Sequence, residues 1–230
     1  MMDTNNNPIN LRKLWLFSAI VLLAMGGLAT WAWQQLPADV TIPVHWGPSG
    51  VPDRYGGKVE GLFLLPMVTA GIALLLTVIL FIDPLRQNLQ RSQKAYAVTW
   101  VALLLFMAGL HSVTVLIALG WAINISLVIS LALGLLFMIM GNYMGKIRRN
   151  YTFGIRTPWT LASDVVWDKT HRLGGKVFMV VGLLILLSAF FVSSLLHMYI
   201  MLGGLLGATL LVVGYSYFLW RKESAIHNQG

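Results

Sequence analysis

Gly61–Ile82, GLFLLPMVTAGIALLLTVILFI, runs through twenty-two residues without a charge. As a helix rising 1.5 Å per residue it is long enough to cross a hydrocarbon core of about 30 Å. Lipid offers backbone N–H and C=O groups no partner, so a spanning stretch of this kind must be helical. Outward from it lie five further apolar runs: Leu14–Trp33, Ala95–Leu119, Ile123–Met140, Val177–Leu195 and Tyr199–Trp220. The whole chain agrees with this pattern. It is 57% apolar and 10% charged, where a soluble domain carries about 25% charged residues. The expected fold class is an all-α integral membrane protein, a bundle of six transmembrane helices. Spans three and four form a helical hairpin turning near Gly120–Asn124, and spans five and six another turning around Ser193–His197. Gly203 and Gly207 form a small-xxx-small pair that is expected to pack inside the bundle.

Charge sets the expected orientation. Arg12 and Lys13, then Arg86, Arg91 and Lys94, then the seven cations from Lys146 to Lys176, and finally Arg221 and Lys222 alternate with segments that hold only Arg54 and Lys58. The bias of fourteen to two places both termini and residues 141–176 in the cytoplasm, and residues 34–60 outside. The net charge of +8 flanks the spans, where it meets membrane lipids, so direct nucleic-acid binding is not expected. The first span is longer than a signal-peptide core and carries Trp31 and Trp33 as an interfacial belt, so it reads as a retained helix. There is no cysteine, hence no disulfide and no thiolate site.

The outer loop, residues 34–60, alternates Val40, Ile42, Val44 and Trp46 with Thr41, Pro43 and His45. A period of two predicts a short extended segment, and Pro43 restricts it to an edge. Gly47, Pro48, Gly50, Pro52, Gly56 and Gly57 then predict turns, which makes the loop an ordered lid. His45 and Asp53 are its polar landmarks. Two ligands do not make a metal site, and both residue types hold turns well. Together with Trp46 and Tyr55 they form the surface an external ligand would meet.

The inner segment is long, charged and aromatic: GNYMGKIRRNYTFGIRTPWTLASDVVWDKTHRLGGK, residues 141–176. Asn142 and Asn150 bracket Lys146, Arg148 and Arg149, a cluster suited to anionic headgroups. Gly154 permits a turn closed to other residues. Thr157–Pro158 and Ser163–Asp164 are helix starts. Asp168 and Arg172 are spaced to pair. Trp167 and His171 share a face with Gly174, expected against the membrane surface or under the bundle, and Gly174–Gly175 is expected to end the helix. No nucleophile or metal-protease motif is present. The segment therefore reads as a structured docking surface, with Arg156, Trp159, Trp167 and His171 as anchors, and not as a catalytic centre. His111 lies in mid-span, the one central ionisable group and the basis of an alternative transporter or ion-handling reading. A membrane enzyme built on Asp164, Asp168, His171 and Arg156 is the weaker third reading. Glu60 and Asp83, at the ends of span two, are expected to be wetted. No cofactor and no metal are expected.

The inner residues resemble a known signature. Gly141-Asn142-Tyr143-Met144, Asn150, Gly154-Ile155-Arg156-Thr157-Pro158-Trp159-Thr160-Leu161, Trp167 and Thr170-His171-Arg172 are similar to the Sdp immunity protein family. Ile42-Pro43-Val44-His45-Trp46, Gly50, Pro52-Asp53 and Tyr55-Gly56 resemble the small domain of unknown function that often precedes it. The resemblance implies two modules, residues 1–94 with the outer loop and residues 95–230 with the cytoplasmic segment. It also implies a bacterial inner-membrane protein giving resistance to a secreted, membrane-active antimicrobial peptide. As a signalling receptor, such a protein would hold a cytoplasmic repressor at the membrane.

Overall fold

A computed structural model describes residues 9–47 and 50–227. The chain runs α1 (Leu11–Gln35), β1 (Ile42–Trp46), β2 (Pro52–Gly56), α2 (Lys58–Ile82), α3 (Arg86–Arg91), α4 (Gln93–Ala118), α5 (Ile125–Met144), α6 (Pro158–Ala162), α7 (Asp164–Phe191) and α8 (Ser194–His227). Six of the described helices, α1, α2, α4, α5, α7 and α8, are long and apolar enough to cross a membrane. α1, α2 and α4 pack mutually, α4 contacts α5, α5 packs along α7, and α8 lies on α7 and α6. One end of the bundle carries the β-hairpin. The other carries α3, α6 and most of the cations, and is called the basic end below.

α5 and α7 lie backbone to backbone. A Cβ built on Gly141 would stand 2.6 Å from the Gly175 carbonyl oxygen, and one on Gly175 would stand 2.5 Å from that of Gly141. Gly134 and Gly182 face each other the same way, at 2.7 and 2.6 Å. Each helix repeats its glycine after seven residues, the spacing that keeps one seam turned toward a neighbour. This use of Gly175 corrects the expected helix end. α7 runs unbroken through Gly174–Gly175, because those glycines admit α5, Ile155 and Met144 and do not form a cap. The opposite correction applies to Gly203 and Gly207, which have nothing within 4 Å and do not pack inside the bundle.

The alternating outer segment is one strand of an antiparallel hairpin, β1 against β2, with register shifts on both sides of His45. Ile42 anchors it. The side chain is fully buried, in a cluster with Ala29, Ala32, Leu62 and Val115. A Cβ on Gly61 would come within 2.7 Å of it, so only glycine lets the hairpin seat on α2.

His111 also has a local cause. Pro66 sits inside α2 and has no N–H to give to the carbonyl four residues back. That carbonyl belongs to Leu62, and His111 Nε2 lies 2.9 Å from it. The imidazole thus supplies the donor that Pro66 lacks, which fixes its proton on Nε2 and leaves Nδ1 without a partner. Trp100 Nε1 donates to Ser18 Oγ at 2.9 Å, and the Tyr96 hydroxyl donates to the Leu76 carbonyl. These bonds tie α4 to α1 and α2 where lipid would otherwise leave polar groups unpaired.

Candidate functional site: polar modules at the two ends

At the hairpin end, His45 Nδ1 lies 2.5 Å from Asp53 Oδ1, with side chains 65% and 51% exposed. Trp46 is half-buried and Tyr55 exposed opposite Pro43. Both cations of this end are engaged locally. Arg54 pairs with Glu60 at 2.6 Å. Lys58 Nζ donates to the carbonyls of Trp33 and Leu36 at 2.7 and 2.6 Å and sits 4.9 Å over the Trp33 ring. It caps the negative end of α1.

A cavity of about 620 Å³ lies between the hairpin, the start of α5 and the α7–α8 turn. His197 stands in its wall, Nε2 at 2.7 Å from Ser130 Oγ and Nδ1 at 2.8 Å from Ser188 Oγ. One imidazole from α8 therefore braces α5 and α7. Sequence reading placed His197 only near a turn. Ser130 and Ser188, hydroxyls in apolar helices, are the available signal for a polar partner.

At the basic end, the segment after α5 is built by short-range rules and then pinned by distant ones. Asn150, fully buried, donates to the carbonyls of Arg148 and Phe153 and accepts from the N–H groups of Thr152 and Phe153. Gly154 then turns at φ +112°, the region that favours glycine. Thr157 caps α6 in a reciprocal box with Thr160, Pro158 holds the first turn, and Ser163 caps α7.

His171 closes the turn. Its Nδ1 lies 2.9 Å from the Trp167 carbonyl, and its Nε2 accepts from Ile155 N–H at 2.9 Å. Accepting at Nε2 requires the neutral ring with its proton on Nδ1. Trp167 stacks on it at 4.0 Å and donates to the Ile147 carbonyl at 2.7 Å. Both rings are fully buried, as is Thr170. The expected face of Trp167, His171 and Gly174 is therefore inside the basic end and not on the membrane surface, and neither ring is open to a partner.

The exposed members are Asn142, Gly154, Arg156, Pro158 and Arg172. Arg156 donates to the Tyr151 carbonyl at 3.1 Å. Trp159 is half-buried on Tyr217 of α8, at 5.1 Å between rings. Asp168 does not pair with Arg172; it faces Arg148 at 4.0 Å, while Arg149 meets Asp164 at 2.7 Å.

Asp83 was expected in water and is instead 2% exposed. Its carboxylate accepts from Leu85 N–H at 2.7 Å, Tyr151 N–H at 2.9 Å and the Thr152 hydroxyl at 2.6 Å. It fastens the segment to the end of α2. Asn88 and Ser92 hold the backbone of Arg149 and Arg148, and Ser216 of α8 meets the Thr157 hydroxyl at 3.1 Å. These partners lie about sixty to seventy residues away in sequence, so no local pattern reveals them.

Among the described residues no group of three or more His, Cys, Asp or Glu side chains is placed to hold a metal. The Asp/His/Arg set of the enzyme reading is not assembled: His171 is buried on backbone groups, and Asp164 and Asp168 face arginines.

Comparison with known proteins agrees with this architecture. Residues 146–216 match the SdpI/YfhL protein family, and residues 20–70 match a domain of unknown function, DUF1648. Immunity protein SdpI of Bacillus subtilis (strain 168) is 30% identical over 193 residues, covering 83% of this chain and 87% of that protein. No solved structure gives a significant match. With six candidate spans and this relationship over most of its length, the chain belongs to the SdpI/YfhL family, as a multi-pass protein of the bacterial inner membrane.

Proposed function

We propose that this chain is an immunity protein that protects its cell from a membrane-active peptide toxin. The observation that carries the reading is the 30% identity, across 83% of the chain, to a protein named for immunity. In this reading the basic end faces the cytoplasm, because fourteen of sixteen cations belong to it. The hairpin end, with His45, Trp46, Asp53 and Tyr55, meets the toxin. The segment of residues 141–176 presents Arg156, Arg172 and the edge of Trp159 to a cytoplasmic repressor, while Asn150, Trp167, Thr170 and His171 hold its shape from within.

The test is survival. Cells lacking the chain, and cells overproducing it, are challenged with a panel of membrane-active peptides. Overproduction raises survival against at least one peptide and deletion lowers it. No change with any peptide removes the immunity reading. Resistance that survives both His45→Ala/Asp53→Ala and Arg156→Ala/Trp159→Ala shows that neither polar module carries it. The transporter alternative rested on His111, whose one bonded nitrogen serves the Leu62 carbonyl; a structural task accounts for it.

A further inference from the structure

Building on the reading that an external peptide meets the hairpin end, we propose that the cavity between the β-hairpin, the start of α5 and the α7–α8 turn is the binding site for that peptide. Its apolar side chains rest on Met198, Met201 and Leu202, and a Lys or Arg side chain reaches Asp53.

Size and lining come first. About 620 Å³ lies within the range of sites that hold small molecules or a few side chains. One wall is apolar and rich in methionine, a side chain that adapts to irregular shapes. The other is the hairpin with His45 and Asp53.

Charge decides the ligand's sign. The chain carries +8 overall, but at this end the carboxylates Asp39, Asp53 and Glu60 outnumber the cations Arg54 and Lys58. Both cations are engaged, Arg54 by Glu60 and Lys58 by two carbonyls. An anionic ligand would find no free cation here. Asp53, 51% exposed, offers one oxygen to His45, and a carboxylate accepts at both oxygens, so the second can take an ammonium or guanidinium.

Position gives the site its consequence. The hairpin seats on α2 and α4, whereas the opposite wall belongs to α5, α7 and α8. An occupant touches both helix groups at once.

The experiment uses the absence of cysteine from the chain. Ser126→Cys places a unique thiol in the cavity wall of the full-length protein, held in phosphatidylcholine nanodiscs. Its alkylation by N-ethylmaleimide is timed with a short amidated peptide of leucine and lysine, and with the matching peptide of leucine and glutamate. The lysine peptide slows alkylation about tenfold and the glutamate peptide leaves it unchanged. Asp53→Asn weakens the protection about tenfold or more, the fold-change of one charge-assisted hydrogen bond. Asp39→Asn, on the same end but outside the cavity, leaves protection intact. The peptide-free rate reports whether each variant keeps the cavity.

Leu202→Trp narrows the apolar wall without touching the hairpin and also removes protection. Equal protection by both peptides, or protection that survives both Asp53→Asn and Leu202→Trp, overturns the assignment. So does peptide-free alkylation that is slow in phosphatidylethanolamine and fast in phosphatidylcholine, because a lipid amine is then the occupant. Resistance in the survival assay without protection of the Ser126→Cys thiol overturns the cavity and leaves the immunity reading standing. Protection without resistance does the reverse.

Discussion

Replacing Gly141 by alanine puts one methyl group against a backbone. The new Cβ would lie 2.6 Å from the Gly175 carbonyl oxygen, and ordinary contact begins at 3.4 Å, so α5 and α7 must separate by 0.8 Å at that level. The obstacle is a helix backbone and not the end of a flexible side chain, so no rotamer change relieves it. The strain spreads along the seam, because Gly134 and Gly182 are in the same close contact two turns away. Overpacking of this kind costs about 1–3 kcal/mol. Alanine returns about 1 kcal/mol through its helix propensity, leaving a net loss of up to about 2 kcal/mol. Gly71 and Gly109 are interior to α2 and α4 with nothing within 4 Å, so Gly71→Ala and Gly109→Ala gain the propensity and meet no obstacle. The two classes therefore move in opposite directions. Reversible unfolding in mixed micelles, followed by tryptophan fluorescence against rising SDS fraction, reads the difference. If Gly141→Ala and Gly182→Ala unfold at the same SDS fraction as Gly71→Ala, the seam is not in backbone contact and the argument fails.

Three further experiments test the basic end and the pairing of Pro66 with His111. Asp83→Asn turns an amide N–H₂ toward the donors of Tyr151 and Thr152; it destabilises by about 1–3 kcal/mol, and trypsin cuts at Arg148, Arg149 and Arg156 faster than in the parent. His171→Phe keeps the stack on Trp167 but leaves Ile155 N–H without its acceptor, so that amide exchanges with deuterium faster by about tenfold or more while Trp167 fluorescence is little changed. Pro66→Ala restores a donor to the Leu62 carbonyl, so His111→Leu costs less in that background than in the parent. The two changes couple by about 0.5–2 kcal/mol in a thermal double-mutant cycle, and strict additivity refutes the pairing of Pro66 with His111.

What the chain reveals before folding is whatever depends on near neighbours. Uncharged length finds the six helices, since in lipid nothing else satisfies a backbone. Alternation through Val40–Trp46 finds β1, and Thr157–Pro158 and Ser163–Asp164 mark the starts of α6 and α7. Glycine is ambiguous by the same logic: Gly174–Gly175 satisfies the rule for a helix end and the rule for a close helix crossing, and only the facing Gly141 decides between them. Asp83 misleads because a carboxylate at the end of a span belongs in water unless donors reach it, and two of its three donors come from residues 151 and 152. The cavity was invisible for the same reason, since its walls come from residues near 45, 125 and 197.

The continuity of α7 bears on how the two ends can communicate. Had the helix stopped at Gly174–Gly175, a hinge would have separated Trp167 and His171 from the membrane span, and changes at the hairpin end would have dissipated in it. Instead one helix carries His171, which holds the turn at Ile155, and Ser188, which meets His197 at the cavity. At 1.5 Å per residue these lie about 25 Å apart on a single rod. The glycine seam restricts what that rod can do. Moving α7 away from α5 breaks close contacts at two levels at once, whereas sliding or rotating along a smooth, small-residue surface breaks fewer. A ligand changes such an equilibrium only by binding one arrangement better than the other, and a cavity whose wall is the α7–α8 turn is placed to make that distinction. The Ser188–His197–Ser130 brace joins α8 to both α5 and α7 at that cavity. Ser188→Ala, which removes the α7 hydroxyl from His197, loosens this brace and leaves each end folded; deuterium exchange rises at the α8 amides around His197 and is unchanged at Ile155.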